Sequence, residues 1–208
     1  MSRRQLPNII ITGTPGCGKT SHAEALQTRL GKPYKHYSIS DLAKSRGLIE
    51  SYDETLDTSV VKEDELLDSL EPELESGAVI IDWHVCDIFP ERLVDLVVVL
   101  RTDNSHLYDR MVARGYKDNK IQENLDAEIM EVILQEAQES YNPEIVVVLT
   151  SNLEEEKLDN VDRISQWISS WVEDHPTGVT NEFEGSQSDE SSEESEGESG
   201  DSSDSDEN

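Results

Sequence analysis

The sequence predicts an α/β fold in which a parallel β-sheet is covered by helices on both faces. Short, continuous apolar runs alternate with longer amphipathic stretches, which is typical of strands that are buried on both sides. We predict five strands, at residues 9–11, 34–39, 78–82, 95–100 and 144–149. Ligands of such sheets bind at the carboxyl ends of the strands. Functional residues are therefore expected directly after these apolar runs.

The stretches between the strands predict the helices. Apolar residues recur at helical spacing in them, and we place helices at residues 19–30, 42–46, 61–74, 105–114, 121–141 and 158–172. Ser40 and Asp41 suit the N-cap of the short second helix, and Pro72 is expected to kink the end of the third. Residues 47–59 are polar and predict an irregular, mobile segment.

Charge is distributed unevenly along the 208 residues, of which 46 are acidic and 17 basic. From Glu182 onward there are twelve acidic residues, nine serines and neither Lys nor Arg, whereas residues 1–181 carry a net charge of −17. A segment of this composition cannot bury enough apolar surface to offset the entropy of ordering. We predict one folded domain at residues 1–175 and a disordered acidic tail at residues 176–208.

Composition also argues against several classes of protein. No apolar run reaches 18 residues and the N-terminal residues lack the apolar core of a signal peptide, so no membrane association is expected. The two cysteines, Cys17 and Cys86, do not make a disulfide framework, and a reducing compartment is the simpler interpretation. The acidic balance argues against broad RNA binding and favours basic protein partners.

The most informative motif is Gly13-Thr14-Pro15-Gly16-Cys17-Gly18-Lys19-Thr20, which we call the phosphate loop. It fits the pattern G-x-x-x-x-G-K-[ST] without a mismatch and lies between a predicted strand and a predicted helix. Glycines let consecutive backbone N–H groups point at a polyphosphate, and the helix N-terminus favours the anion. Lys19 is expected to bind the β- and γ-phosphates and Thr20 a magnesium ion. The alternative is an ordinary strand-to-helix turn.

Two residues at the end of the third strand could complete this site. Asp82 closes an apolar run, where a second magnesium-binding carboxylate of a phosphate-loop enzyme is expected, although it could also cap a turn. His84 would share a strand face with Asp82 if the strand continued. It is a candidate for positioning water or phosphate, with a structural histidine as the alternative.

Basic residues before Gly115 could form a lid. Arg110 and Arg114 are four residues apart and share a helix face, either as a solvated basic surface or as groups that contact a transferring phosphoryl. Arg101, at the end of the fourth strand, could join them. We interpret Cys17 as a small packing residue rather than a low-pKa thiol, and Cys86 lacks partners at zinc spacing, so no structural metal is predicted.

The phosphate loop also resembles the G-x-P-G-x-G-K-[ST] form of nucleoside monophosphate kinases. Five further stretches, taken in order, resemble the nuclear adenylate-kinase-like ATPases known as the adenylate kinase isoenzyme 6, or coilin-interacting nuclear ATPase, family. They are Ser40-Asp41-Leu42-Ala43, Ile81-Asp82-Trp83-His84, Phe89-Pro90-Glu91-Arg92, Leu100-Arg101-Thr102-Asp103 and Ala113-Arg114-Gly115-Tyr116. The resemblance covers about residues 7–174 and leaves out the acidic tail.

This resemblance implies a five-stranded parallel sheet, a monophosphate-binding segment at about residues 38–61 and a lid at about 112–122. It implies ATP hydrolysis and adenylate kinase activity with Mg²⁺, AMP as the phosphoryl acceptor, and a role in the nucleus and cytoplasm in small ribosomal subunit maturation and pre-rRNA cleavage. A basic small-subunit ribosomal protein and the pre-40S particle are the partners it implies. The nucleotide contacts carried over are Gly16, Gly18, Lys19, Thr20, Ser21 and Arg114.

Two positions depart from the family pattern. Lys44 stands where related kinases often have Arg, and lysine lacks the bidentate fork for a monophosphate. Leu153, in the loop after the fifth strand, stands where a relative can carry Lys, so only backbone contact with adenine is expected there. Two other functions stay open on the sequence: a kinase for a different small acceptor, and a binding module whose protein affinity is switched by nucleotide.

Overall fold

The computed structural model describes residues 3–53 and 58–182. In chain order, the strands are β1 (Arg3–Arg4), β2 (Ile9–Thr12), β3 (Lys35–Ser38), β4 (Ile49–Asp53), β5 (Thr58–Val61), β6 (Val79–Asp82), β7 (Leu96–Arg101), β8 (Val146–Thr150) and β9 (Val179–Thr180). The helices are α1 (Lys19–Leu30), α2 (Ile39–Arg46), α3 (Glu63–Ser76), α4 (Asn104–Ala113), α5 (Asp118–Ile129), α6 (Val132–Ser140) and α7 (Glu154–Asp174). Single 3₁₀ turns lie at Glu91–Leu93 and Pro143–Ile145.

Five of these strands form the predicted parallel sheet, in the order β3-β6-β2-β7-β8. β2 lies at the centre, with Ile11 opposite Asp82 of β6 and Thr12 opposite Val99 of β7. All strands of this sheet point the same way, so the phosphate loop after β2 and the carboxylate that ends β6 lie at the same edge. The predicted fold class is confirmed.

Side-chain alternation along the strands gives the sheet two apolar faces. In β2, Ile10 packs in a cluster with α3 residues such as Leu66 and Leu70, whereas Ile9 and Ile11 pack with residues of α1 and α7. The same alternation occurs in β6 and β7, so the helices cover both faces. The result is a three-layer arrangement whose two cores meet at the sheet.

The chain between α2 and α3 differs from its prediction. The sequence predicted an irregular segment at residues 47–59, but β4 and β5 pair there as an antiparallel hairpin. The pairing follows Ile49 and Val61, which lie opposite each other and pack against the larger core. The polar residues Glu50, Ser51 and Ser59 interrupt the apolar pattern of the two strands, so the sequence gives little sign of this hairpin.

Every predicted helix except the first has bounds that differ from its prediction. α1 begins and ends where predicted. The helix predicted at 121–141 is interrupted at Glu131, whose φ of 57° lies in the left-handed region, and is two helices, α5 and α6. α3 continues past Pro72 to Ser76. α7 begins at Glu154 rather than 158, and its three acidic residues at the N-terminus complement the helix dipole.

The C-terminal part of the described chain belongs to the fold. β9 pairs antiparallel with β1, although the sequence assigned residues from 176 onward to the tail. Arg4, 2% exposed, donates to both carboxylate oxygens of Asp95 and, at 2.6 Å, to Oδ1 of Asn181. Asn181 also donates to the carbonyl oxygen of Glu75 at 2.9 Å. The domain therefore extends to at least Glu182, and the rest of the predicted tail lies outside the described residues.

Removing the Asn181 side chain tests whether this segment stabilises the domain. Asn181→Ala removes one hydrogen bond to the buried Arg4 cation and one to the partly buried Glu75 carbonyl of α3. We therefore expect a loss of about 2 kcal/mol in the free energy of unfolding. Urea denaturation of the full chain measures it, with Glu182→Ala, an exposed neighbour, as the matched control. Equal midpoints for the two variants would show that the segment contributes nothing.

Candidate active site

The phosphate loop joins β2 to α1 and adopts the conformation that its glycines permit. Gly16 and Gly18 have φ values of 98° and 95°, in the left-handed region, and Gly18 caps α1. Lys19 folds back over the loop, where its Nζ donates to the carbonyl oxygens of Gly13 at 2.8 Å and Thr14 at 3.2 Å. Within the described residues Lys19 forms no ion pair. Its charge is available to an anion.

Thr20 and Asp82 meet as the sequence predicted. Thr20 Oγ1, in the first turn of α1, donates to Oδ1 of Asp82, the last residue of β6, at 2.8 Å. The other carboxylate oxygen, Oδ2, lies 2.5 Å from Nε2 of His36, a residue of β3. Asp82 is 4% exposed, so these contacts fix its carboxylate in position. Sequence reasoning missed His36, since only the placement of β3 beside β6 brings it to Asp82.

His84 lies beyond the end of β6, because the strand stops at Asp82. The condition for a shared strand face is therefore not met, yet His84 lines the same cleft as Asp82 and Trp83. Burial, together with the charges of Lys19 and Lys120, lowers the pKa of His84 to about 4. The imidazole is neutral near pH 7, and Trp83 contacts it edge-on, with ring centroids 5.6 Å apart.

Two cavities flank the phosphate loop. The larger, of about 560 Å³, lies between the loop, the end of β6 and the segment at residues 38–61, which the sequence assigned to monophosphate binding. Lys44, the position that departs from the family pattern, lines this cleft together with Ser38, Ser40 and Tyr52. The segment thus supplies one wall of the cleft.

The smaller cavity, of about 250 Å³, lies between the loop and the start of α7. Ser21, Arg110, Leu153 and Lys157 line it, along with Gly16 and Gly18 of the loop. Ser151 Oγ donates to the carbonyl oxygen of Cys17 at 2.6 Å and so fixes the loop after β8 against the phosphate loop. Arg114 and Gly16 line both cavities. The two cavities therefore meet at the phosphate loop.

A buried histidine, His22, connects the phosphate loop to α7 beside the smaller cavity. His22, 1% exposed, places Nδ1 2.9 Å from the carbonyl oxygen of Gly18, and its Nε2 lies 3.3 Å from the amide nitrogen of Asn160 in α7. A carbonyl can only accept and an amide NH₂ can only donate, so these partners define a neutral imidazole protonated on Nδ1. Burial lowers the pKa of His22, in agreement with this assignment.

The three arginines proposed for a lid have different positions. Arg114 is exposed between α4 and α5, at the border of both cavities. Arg110 donates to the carbonyl oxygens of Asn152 at 2.6 Å and Gly16 at 3.4 Å, which connects α4 to the phosphate loop. Arg101 was predicted wrongly, since its guanidinium binds Glu128 and Glu131, each at 2.6 Å. Cys17 is fully buried in the core, as expected for a packing residue.

Basic side chains are concentrated at the two cavities. Among the residues that the structure describes, six basic side chains line them, against three acidic ones. The basic residues are Lys19, Lys44, Arg110, Arg114, Lys120 and Lys157, and the acidic residues are Asp41, Asp82 and Glu154. A cleft with this bias favours a polyanionic ligand within an acidic protein.

These residues fit ATP and Mg²⁺. A Cβ on Gly18 would lie 3.2 Å from Ser151 Oγ, and the φ of Gly18 is in the left-handed region. Glycine therefore lets the phosphate loop pack closely against Ser151. The unpaired Lys19 ammonium and the N-terminus of α1 suit phosphate. The paired oxygens of Thr20 and Asp82 are the hard donors that Mg²⁺ prefers.

No described helix has the length and apolarity that a membrane span requires.

Comparison with known proteins agrees with this architecture. A family model described as an AAA domain matches residues 9–131. The fold is similar to shikimate kinase from Bacteroides thetaiotaomicron, with a TM-score of 0.55 at 16% identity over 79% of this chain and 99% of that one. Shikimate kinase from Acinetobacter baumannii also has a TM-score of 0.55, at 20% identity, covering 79% of this chain and 94% of that one. The fold is that of the P-loop kinases.

Sequence relatives define the family within this class. The adenylate kinase isoenzyme 6 homolog HBR1 of Candida albicans is 62% identical over 190 residues, or 88% of this chain and 77% of that protein. The homolog FAP7 of Saccharomyces cerevisiae is 59% identical over 189 residues, or 91% of this chain and 95% of that protein. The chain belongs to the adenylate kinase isoenzyme 6 family, and it is a P-loop nucleotide kinase.

Proposed function

We propose that the protein transfers the terminal phosphoryl group of ATP to AMP, giving two ADP, and also hydrolyses ATP. The observation that carries the proposal is the meeting of two cavities at the phosphate loop, with Arg114 at the border of both. ATP would occupy the smaller cavity, with its phosphates on the loop. AMP would occupy the larger one, which places the two phosphate groups next to each other.

Each residue has a role that follows from its position. Lys19 would exchange its loop carbonyls for the β- and γ-phosphates, and Gly16, Gly18 and Ser21 would contribute donors from the loop and the start of α1. Thr20 and Asp82 would hold the magnesium ion, which when bound neutralises charge on the phosphates. His36 keeps the Asp82 carboxylate in place through its 2.5 Å contact.

His84 and Arg114 would act on the reacting groups. His84 is neutral near pH 7, so its imidazole can accept a hydrogen bond from an attacking water or acceptor. Arg114 borders both cavities and would contact both phosphate groups. A guanidinium there would stabilise the negative charge spread over the transferring phosphoryl.

AMP is the acceptor we propose, because the relatives are named as adenylate kinase homologs. Lys44 and the hydroxyls of Ser38 and Ser40 line the cleft where its phosphate would bind. The competing function is a kinase for another small acceptor of similar size. ADP formation from ATP, measured across nucleoside monophosphates and non-nucleotide acceptors, separates the two.

Lys19→Ala tests the nucleotide site. Removing the one loop cation should abolish measurable ATP binding in calorimetry and AMP-dependent ADP formation, while the circular dichroism spectrum stays unchanged. Lys32→Ala, an exposed lysine outside both cavities, is the matched control and should behave like the wild type. Wild-type ATP affinity in Lys19→Ala would refute the assignment of this loop.

Arg114→Ala tests transition-state stabilisation. An arginine that contacts a transferring phosphoryl is typically worth about 10³–10⁵ in rate, so kcat should fall far more than the affinity for ATP. Steady-state kinetics with calorimetry separates the two quantities, and Arg163→Ala on the surface of α7 is the control. A change confined to KM would mean that Arg114 only binds the ground state.

We further propose that the protein acts in the nucleus and cytoplasm in small ribosomal subunit maturation, where it binds and releases a basic small-subunit ribosomal protein on the pre-40S particle and assists late pre-rRNA cleavage. The net charge of −29 supports a partner rich in Lys and Arg and opposes broad RNA binding. ATP binding would change the cleft walls, so a partner that contacts them would bind the nucleotide states with different affinity.

This switch predicts that the affinity for a Lys/Arg-rich small-subunit ribosomal protein differs between ATP, ADP and no nucleotide. Titration calorimetry under the three conditions measures it, and equal affinities would contradict the switch.

Deleting residues 183–208 should slow association at low salt but leave the complex intact near physiological salt, because long-range attraction is screened. The deletion starts at 183 so that Asn181 and its hydrogen bonds are kept.

A further inference from the structure

A buried carboxylate from another part of the chain forms a hydrogen bond with the phosphate loop. Thr14, 1% exposed, donates its hydroxyl to Oε2 of Glu128, which lies near the end of α5. Glu128 is 3% exposed, and its other oxygen accepts from Arg101 Nε at 2.6 Å and from the backbone N–H of Thr102 at 3.1 Å. One carboxylate thus connects the loop, the end of β7 and α5.

A buried acid beside an anion-binding loop is electrostatically unfavourable unless it is compensated. Arg101 provides the compensation, since it contacts the Glu128 carboxylate and also donates from Nη2 to the Glu128 carbonyl oxygen at 2.8 Å. Core packing alone would be satisfied by an apolar side chain at this position. The acid therefore has a use that packing does not explain, and its contact with Thr14 identifies that use.

Thr14 is held on two sides. Its hydroxyl binds Glu128, and its carbonyl oxygen accepts from Lys19 Nζ at 3.2 Å. If Lys19 turns toward a phosphate, the carbonyl loses its cation and the Glu128 contact remains. We propose that Glu128 is a positioning residue that keeps the phosphate loop in its binding conformation through Thr14. This inference rests on the proposed binding of ATP at the loop.

The same group of residues shapes the junction between α5 and α6. Arg101 donates to Glu131 Oε1 at 2.6 Å, and Glu131 has the left-handed backbone that separates the two helices. Ile129, the last residue of α5, and Met130, which follows it, are 61% and 66% exposed. Glu128 contacts the loop through Thr14, and Arg101 contacts both Glu128 and Glu131 at this junction. Stabilising the loop with ATP should therefore also stabilise the junction.

Thr14→Val tests the inference, because it removes the hydroxyl with little change in shape. We expect ATP affinity to fall about tenfold, in line with the loss of a hydrogen bond to a charged group. Thr14→Ser keeps the hydroxyl and should retain wild-type affinity. The double variant Thr14→Val with Glu128→Asp should bind no more weakly than the weaker single variant, because both remove the same contact.

Hydrogen exchange gives a readout that is independent of turnover. ATP should slow amide exchange at residues 126–134 in the wild type and much less in Thr14→Val. Glu131→Gln is the matched control, since it weakens a contact of Arg101 without touching the loop, and its ATP affinity should be unchanged within about twofold. If Thr14→Val does not fold, Glu128→Asp alone provides the same comparison.

The outcomes separate this inference from the proposed function. Wild-type ATP affinity and wild-type exchange in Thr14→Val or Glu128→Asp would overturn the positioning role alone. If the wild type fails to bind ATP, or Lys19→Ala binds it equally well, the proposed function fails and this inference fails with it. Loss of affinity in Glu131→Gln equal to that in Thr14→Val would assign the effect to Arg101 packing and also overturn the proposal.

Discussion

The parallel pairing of β2 with β6 is the constraint on which the candidate site depends. Its register places Ile11 opposite Asp82, so the last residue of β6 lies level with the start of the phosphate loop. Thr20, in the first turn of α1, can then reach the Asp82 carboxylate at 2.8 Å. A shift of one residue would turn Asp82 to the opposite face of the sheet and break this contact. The buried isoleucines of β2 hold the register, so the apolar core determines the geometry of a polar site.

Much of the fold could be predicted because its signals are local. The apolar strands and α1 follow from composition and from the glycines and lysine of the loop, which lie next to each other in the chain. The hairpin β4–β5 and the break at Glu131 could not be predicted, since both depend on tertiary contacts. Ile49 and Val61 form the hairpin by packing on the core, and Arg101 holds Glu131 from a strand 30 residues away.

The site shows the same division. Lys19, Thr20 and Asp82 could be identified from spacing and from the position of Asp82 at the end of a strand. His36 and Glu128 could not, because their partners Asp82 and Thr14 are distant in sequence and adjacent only in the fold. Arg101 was misassigned for a related reason. A basic residue at a strand end suits either a phosphate or a buried acid, and only the neighbouring helix decides which.

The short range of electrostatic interactions explains how an acidic protein can have a locally basic cleft. Charges on the surface are screened within about 8 Å at physiological salt, whereas those in a cleft act at short range in a less polarisable medium. The protein can therefore carry a net charge of −29 and still present a local excess of cations at its cavities. Asp82 contacts the phosphate loop through Thr20, and Glu128 contacts it through Thr14. Each acid has a second partner, His36 for Asp82 and Arg101 for Glu128. Because these carboxylates are fixed by their partners, they give the phosphate loop and this edge of the sheet a defined geometry.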